Sequence, residues 1–232
     1  MFFDYTYVVL VLPAVLFALW ASARVNGTFR KYQQQRSRRG ITGYAAARAV
    51  LDANGLFQIR IERVSGNLTD HYDPRTQVIR LSDSVYGSTS TAAIGVAAHE
   101  AGHAVQYATD YAPIRFRAAI IPITNLGSQL ALPLVIVGLL FMSVSSVFLQ
   151  VAYVGIACFG LSVVFQLVTL PTEFNASRRA LAAIESNHLL DEDEMVGARK
   201  TLSAAAMTYV AALAVSLAQL LRLLALVSRR RD

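Results

Sequence analysis

Long uncharged apolar runs alternate with short charged segments along this chain, and each kind of stretch predicts its own elements. Residues 5–23, YTYVVLVLPAVLFALWASA, carry no Asp, Glu, Lys or Arg. A run of that length just crosses a hydrocarbon core of about 30 Å at about 1.5 Å per residue, so it predicts a membrane anchor. A cleavable signal peptide is the competing reading, because Ala21, Ser22 and Ala23 form a small-residue cleavage pattern. The head MFFD lacks Lys and Arg and carries Asp4, which opposes the basic head a signal peptide requires, so an uncleaved anchor is expected.

Residues 42–55 have the pattern of a short helix, with Thr42 as N-cap and Gly55 just past its end. Three strand patterns follow at 57–64, 67–73 and 76–82, separated by SGN and by DPRT, where Pro74 suits the second turn position. They predict a small antiparallel sheet in front of a helix over about 90–108, for which Ser88, Thr89 and Ser90 offer caps. From 118 to 172 there are 55 residues without a charge. Two spans and a turn fit that length, with the turn between Ser143 and Gln150, so 118–171 is expected to be a membrane hairpin. Pro171 and Thr172 close the run, and a polar helix over 172–186 is expected next. The acidic DEDE at 191–194 suits a helix start, where carboxylates meet the positive dipole end, and a long apolar helix over 195–227 should follow. Its uncharged part, 201–221, is long enough to span, and Arg222 could snorkel to the interface.

Composition agrees with a membrane protein of one domain over 1–232: the chain is 55% hydrophobic and 16% charged. The net charge of +6 is uneven. Arg24, Arg30, Lys31, Arg36, Arg38 and Arg39 all follow the anchor and none precedes it, so the positive-inside rule puts this segment in the cytoplasm. If the last helix spans, SRRRD at 228–232 falls outside, against that rule; the alternative is a helix lying partly in the interface. No aromatic-basic interleaving supports nucleic-acid binding, and the single cysteine, Cys158, cannot form an internal disulfide.

The candidate chemistry lies in GVAAHEAGHAVQ, residues 95–106. On a helix, His99 and His103 are four apart and share a face, as two imidazoles must to hold one zinc. Glu100 sits beside the first of them, where it could serve as general base. A catalytic zinc takes three protein ligands and keeps one position open. His188 reads as a surface loop residue and His71 as part of a solvated edge, so Glu173 is the better third ligand. An even number of crossings between Ala104 and Thr172 returns Glu173 to the side of His99.

The stretches GNLTDHYDPRTQVIRLS, AAHEAGHAVQ and QLVTLPTEFNASRRAL resemble the YugP-like neutral zinc metallopeptidases over nearly the whole chain. More remotely, the order of anchor, sheet, H-E-x-x-H helix, hairpin and Glu helix is similar to the HtpX-like membrane gluzincins. There the third ligand opens an E-x-x-A-D motif; here the stretch is Glu173, Phe174, Asn175, Ala176 and Ser177, with Ser177 in place of the Asp. The resemblance implies a mainly α membrane protein: a zincin-like metalloprotease core with a small antiparallel sheet and three to four transmembrane helices. It implies one catalytic Zn2+ on His99, His103 and Glu173, and an outer role for Ser177 in orienting a histidine ligand. It also makes the strand at 67–73 an edge on which an extended peptide binds. His71, Tyr72 and Asn175 are candidates for contacting substrate or stabilising the oxyanion.

The expected activity is peptide-bond hydrolysis by metal-activated water with Glu100 as base. The expected setting is a multi-pass protein of the plasma (inner) membrane, its active site cytoplasmic, acting on peptides or proteins and meeting other membrane proteins as further partners. An inert metal-binding scaffold or adaptor is the non-enzyme alternative. An intramembrane site-2-type protease is less well supported: the uncharged stretch 84–99 is short for a span, and no Leu-Asp-Gly partner motif occurs.

Overall fold

The first apolar run is helical well beyond the length the membrane needs. In the computed structural model, which describes residues 5–229, a π-helical turn at Tyr7–Val11 leads into α1, Leu12–Gln33. The helix therefore passes the expected anchor end at 23 and takes in Arg24, Arg30 and Lys31 of the basic segment, while Arg36, Arg38 and Arg39 follow its end. Asn26 Nδ2 donates back to the Ser22 carbonyl at 3.0 Å within it. The readings placed on MFFD and on the last three residues of SRRRD lie outside the described residues.

Among the described residues, α2 (Gly43–Ala53), β1 (Arg60–Val64), β2 (His71–Asp73), β3 (Val78–Ser82), α3 (Thr91–Ala108), α4 (Ala112–Phe141), α5 (Ser146–Ser186) and α6 (Glu192–Ser228) follow. The helices starting at Tyr7, Ala112, Ser146 and Glu192 are long and apolar enough to cross a membrane, the upper end of the expected three to four. They contribute to two units. One comprises the described parts of 1–21, 115–170 and 208–232; the other comprises 22–114 and 171–207.

In the first unit, small residues let α4 and α5 approach. A Cβ on Gly155 would lie 2.8 Å from the Ala131 carbonyl oxygen, and one on Gly138 would lie 2.6 Å from the Ala152 nitrogen. Helices in lipid, lacking a hydrophobic force between them, associate through such close backbone packing. Val135, Ala152, Ile156, Leu223 and Val227 form a buried cluster there. Arg222 is buried, with its guanidinium 5.2 Å from the Tyr7 ring centroid, where the sequence suggested a snorkelling side chain. The turn between α4 and α5 falls at 142–145, beside the expected position.

One expectation about the hairpin needs correcting. The polar helix at 172–186 is not a separate element: α5 runs unbroken from Ser146 through Pro171 to Ser186. A helical proline removes one backbone donor and crowds the preceding turn, but membrane helices tolerate it when neighbouring groups satisfy the freed carbonyl. Pro122 and Pro133 inside α4 behave in the same way.

The second unit is built around α3. Its N-cap is Ser90, whose Oγ accepts from Ala93 N at 3.2 Å, and Thr42 caps α2 likewise through Ala45 N. Fourteen of its eighteen residues are buried, so the helix is apolar on all sides because it is surrounded. It contacts α2, β2 and β3. Gly95 meets Ala198 of α6, and Gly102 meets Ala176 of α5, where an added Cβ would lie 2.8 Å from the Ala176 carbonyl oxygen. At the start of α6, Glu194 accepts from Asp191 N at 3.0 Å, a capping-box contact, and from Arg38 N at 2.7 Å. The acidic DEDE thus also fastens the segment after α1.

The sheet is mixed, not antiparallel as expected. Its order is β1-β3-β2, with β1 parallel to β3 and β2 antiparallel to it. The strands are also shorter than 57–64, 67–73 and 76–82. The reason lies in the loop between β1 and β2, which crosses the end of β3 instead of making a tight hairpin. Asp70 holds it by accepting from Ser82 N at 2.7 Å and Ser82 Oγ at 2.9 Å. Asp83 accepts from Gly66 N at 3.3 Å, and Gly66 has a φ of 118° that a side chain would resist. Strand β3 is therefore central, burying Ile79 and Leu81, while β2 keeps an edge position.

Replacing Gly102 with Val should force α3 away from α5. A loss of about 1–3 kcal/mol is expected from overpacking, seen as a lowered thermal midpoint in detergent together with weaker metal retention.

Candidate metal centre

The two histidines of α3 lie one turn apart, with ring centroids separated by 4.7 Å and planes at 84°. Both point towards α5. His99 Nε2 is 3.2 Å from Glu173 Oε2, and His103 Nε2 is 3.4 Å from the same oxygen. The ligand atoms of these three residues all lie within 4.8 Å of one another, the one such group among the described residues. Glu173 and His103 are buried, and His99 is nearly so.

Outer contacts orient each imidazole. His99 Nδ1 is 3.1 Å from Ser177 Oγ, and His103 Nδ1 is 2.9 Å from Gln106 Oε1. With both Nδ1 atoms engaged on the outside, both Nε2 atoms face a common point with a carboxylate oxygen. The donor set fits zinc. Three N/O ligands suit a catalytic zinc with one open position, and bonds of about 2.0–2.1 Å at tetrahedral angles put ligand atoms roughly 3.3–3.4 Å apart. The two histidine–Glu173 separations of 3.2 and 3.4 Å match that edge.

The electrostatics are those of a small buried charge cluster. Burial raises the Glu100 carboxyl above its ordinary value; positive charge on His99 and His103 opposes this, and the Glu173 and Asp70 carboxylates add to it. For His103 burial acts downward, but its hydrogen bond and charge attraction to Glu173 outweigh it, and the metal-free imidazole is raised. Asp70 is also raised by burial, against the two Ser82 hydrogen bonds.

The other expected residues lie as follows. His71 is exposed on β2, with Nδ1 2.9 Å from the Thr69 carbonyl, and does not join the cluster. Tyr72 stands beside Tyr107 of α3, ring centroids 5.8 Å apart. Asn175 Oδ1 accepts from Gln106 Nε2 at 2.9 Å and from Arg179 Nε at 2.8 Å. That leaves only its amide N–H groups for any contact with an oxyanion. Gln106 and Arg179 were absent from the residues singled out in the sequence. A signal existed for the first: position 106 is three after His103 and shares its helix face.

Comparison with known proteins points the same way. The model of a family described as "putative neutral zinc metallopeptidase" matches residues 7–228. The chain is 43% identical over 226 residues to a Bacillus subtilis (strain 168) protein named "putative membrane protease YugP", covering 97% of this chain and 98% of that one. No solved structure matches.

Removing the hydroxyl beside His99 tests its orienting contact. Ser177→Ala should weaken zinc binding by roughly tenfold, as losses of such outer partners do, whereas Ser177→Asp should bind at least as tightly as the parent because a carboxylate accepts the same N–H and raises ligand basicity. Chelator competition on the purified chain measures both.

Proposed function

The chain belongs to the family described as "putative neutral zinc metallopeptidase", and from that premise we propose that it is a membrane-bound zinc-dependent endopeptidase. The observation that carries this reading is the convergence of His99 Nε2 and His103 Nε2 on one oxygen of Glu173, beside the buried Glu100. His99, His103 and Glu173 would hold a single zinc. When bound, zinc supplies a Lewis acid that polarises a peptide carbonyl and acidifies water.

The chain's own groups supply the rest. Glu100 takes the proton of the attacking water and delivers it to the leaving amine; its raised affinity for protons suits it to carry one between the two steps. Ser177 and Gln106 hold the imidazoles in register. The edge strand β2, packed on α3, offers backbone groups to an extended peptide, a common mode of strand addition. His71, Tyr72 and the amide nitrogen of Asn175 are the candidate substrate contacts. The relative's description as a membrane protease and the four apolar helices support a multi-pass protein of the plasma (inner) membrane. The basic residues after α1 support a cytoplasmic site, with peptides, proteins and the bilayer as partners.

Glu100→Gln should retain one zinc per chain and lose peptide hydrolysis by about 10²–10⁴-fold. Undiminished cleavage by Glu100→Gln overturns the general-base role of Glu100, and a parent protein that takes up zinc without cleaving any peptide favours the inert scaffold. Zinc affinity should also fall with acidification. Because the metal-free His103 is raised from its ordinary value of 6.5, protons should begin to compete for it above that pH, which metal titrations across a pH series would register. For sidedness, Ser186→Cys in a Cys158→Ser background should react with an impermeant thiol reagent only after the cells are opened.

A further inference from the structure

We infer that Gln106 is a positioning residue that fixes the tautomer of His103, and that a polar chain from Arg179 sets the direction in which Gln106 points. This deepens the metal-centre reading and depends on it for its consequence, though the hydrogen-bond logic stands by itself.

The chain starts from a group with no ambiguity. Arg179 Nε–H can only donate, and it donates to Asn175 at 2.8 Å, so the atom it meets is the amide oxygen. That same oxygen lies 2.9 Å from the Gln106 side chain, which must therefore present its nitrogen. The Gln106 nitrogen also donates to the Thr172 carbonyl at 2.8 Å, an acceptor that cannot turn round. Both amide protons are thus assigned. The remaining end of Gln106 is an oxygen, 2.9 Å from His103 Nδ1, and an oxygen accepts only. His103 must carry a proton on Nδ1; in the neutral ring that leaves the Nε2 lone pair for a metal, while in the metal-free chain a second proton on Nε2 bonds Glu173. Gln106 is completely buried, and its bonds to His103 and to the Thr172 carbonyl are closed to water. Arg179 is itself steadied by stacking 5.8 Å over the Tyr111 ring.

The two ligands differ in this respect. His99 Nδ1 meets the Ser177 hydroxyl, which can donate or accept, so its tautomer adapts. His103 is set in advance. A preset lone pair saves the tautomer exchange that metal capture otherwise requires, and outer partners of this kind change metal affinity by about 10–100-fold.

Long-range proton–nitrogen correlation spectra of the full chain, labelled at histidine and stripped of zinc with a chelator in alkaline detergent solution, read the tautomer directly. The expected result is Nδ1–H on His103, the minor form of a free neutral imidazole. Gln106→Leu should shift His103 towards Nε2–H and raise the zinc dissociation constant about 10–100-fold while one zinc still binds at saturation. Nε2–H on His103 in the parent overturns the inference, whether or not the variant folds. So does unchanged zinc affinity in a folded Gln106→Leu. A parent with Nδ1–H that takes up no zinc overturns the metal-centre reading instead and leaves the tautomer assignment standing.

Discussion

The contact between Gly102 and Ala176 is the constraint on which the centre depends. Helix α3 supplies two imidazoles and α5 supplies one carboxylate. The ligand atoms can meet only if the two backbones approach more closely than ordinary side chains allow. With no Cβ at 102, the Ala176 carbonyl fills the space a methyl group would take. The flanking positions follow the same rule: Ala98, Ala101 and Ala104 are all fully buried. Small residues here are a geometric requirement of the centre, and the apolar character they give the motif need not mean that it crosses lipid.

Close approach has a cost that the polar residues offset. Burying Glu100, His103, Gln106 and Glu173 strips them of water, and an unpaired polar group in such a place is expensive. The structure answers with a connected set of partners: Ser177 for His99, Gln106 for His103, and Thr172 and Asn175 for Gln106. Charge balance points in the same direction. With Glu173 ionised beside two neutral imidazoles the site is negative, which suits a bound cation. In the metal-free chain, protonation of His103 supplies part of that compensation, which is why its proton affinity rises.

One apolar helix is continuous in sequence with the segment that carries Glu173. A single helix, α5, contains an apolar stretch long enough to span and then, past Pro171, the residues Thr172, Glu173, Asn175, Ser177 and Arg179. Pro171 does not interrupt the helix, so Glu173 keeps the helical register of Asn175, Ser177 and Arg179 within α5.

The sequence by itself determined the elements whose causes are local. The cap at Thr42, a cap for α3 among Ser88, Thr89 and Ser90, a turn near 143–150, the apolar runs and the pairing of His99 with His103 all follow from neighbours within a few residues. Glu173 was also within reach, because counting crossings returns it to the side of His99. Tertiary structure decided the features that rest on distant groups. The mixed sheet depends on Asp70 and Asp83 clasping a loop over the end of β3, which no strand pattern records. Helix α5 runs unbroken through Pro171, so the local breaker signal misled. The roles of Gln106 and Arg179 exist only because α3 and α5 touch. A hydrogen bond between residues more than sixty positions apart has no signature in either segment alone, and so the outer half of the centre became visible only in the folded chain.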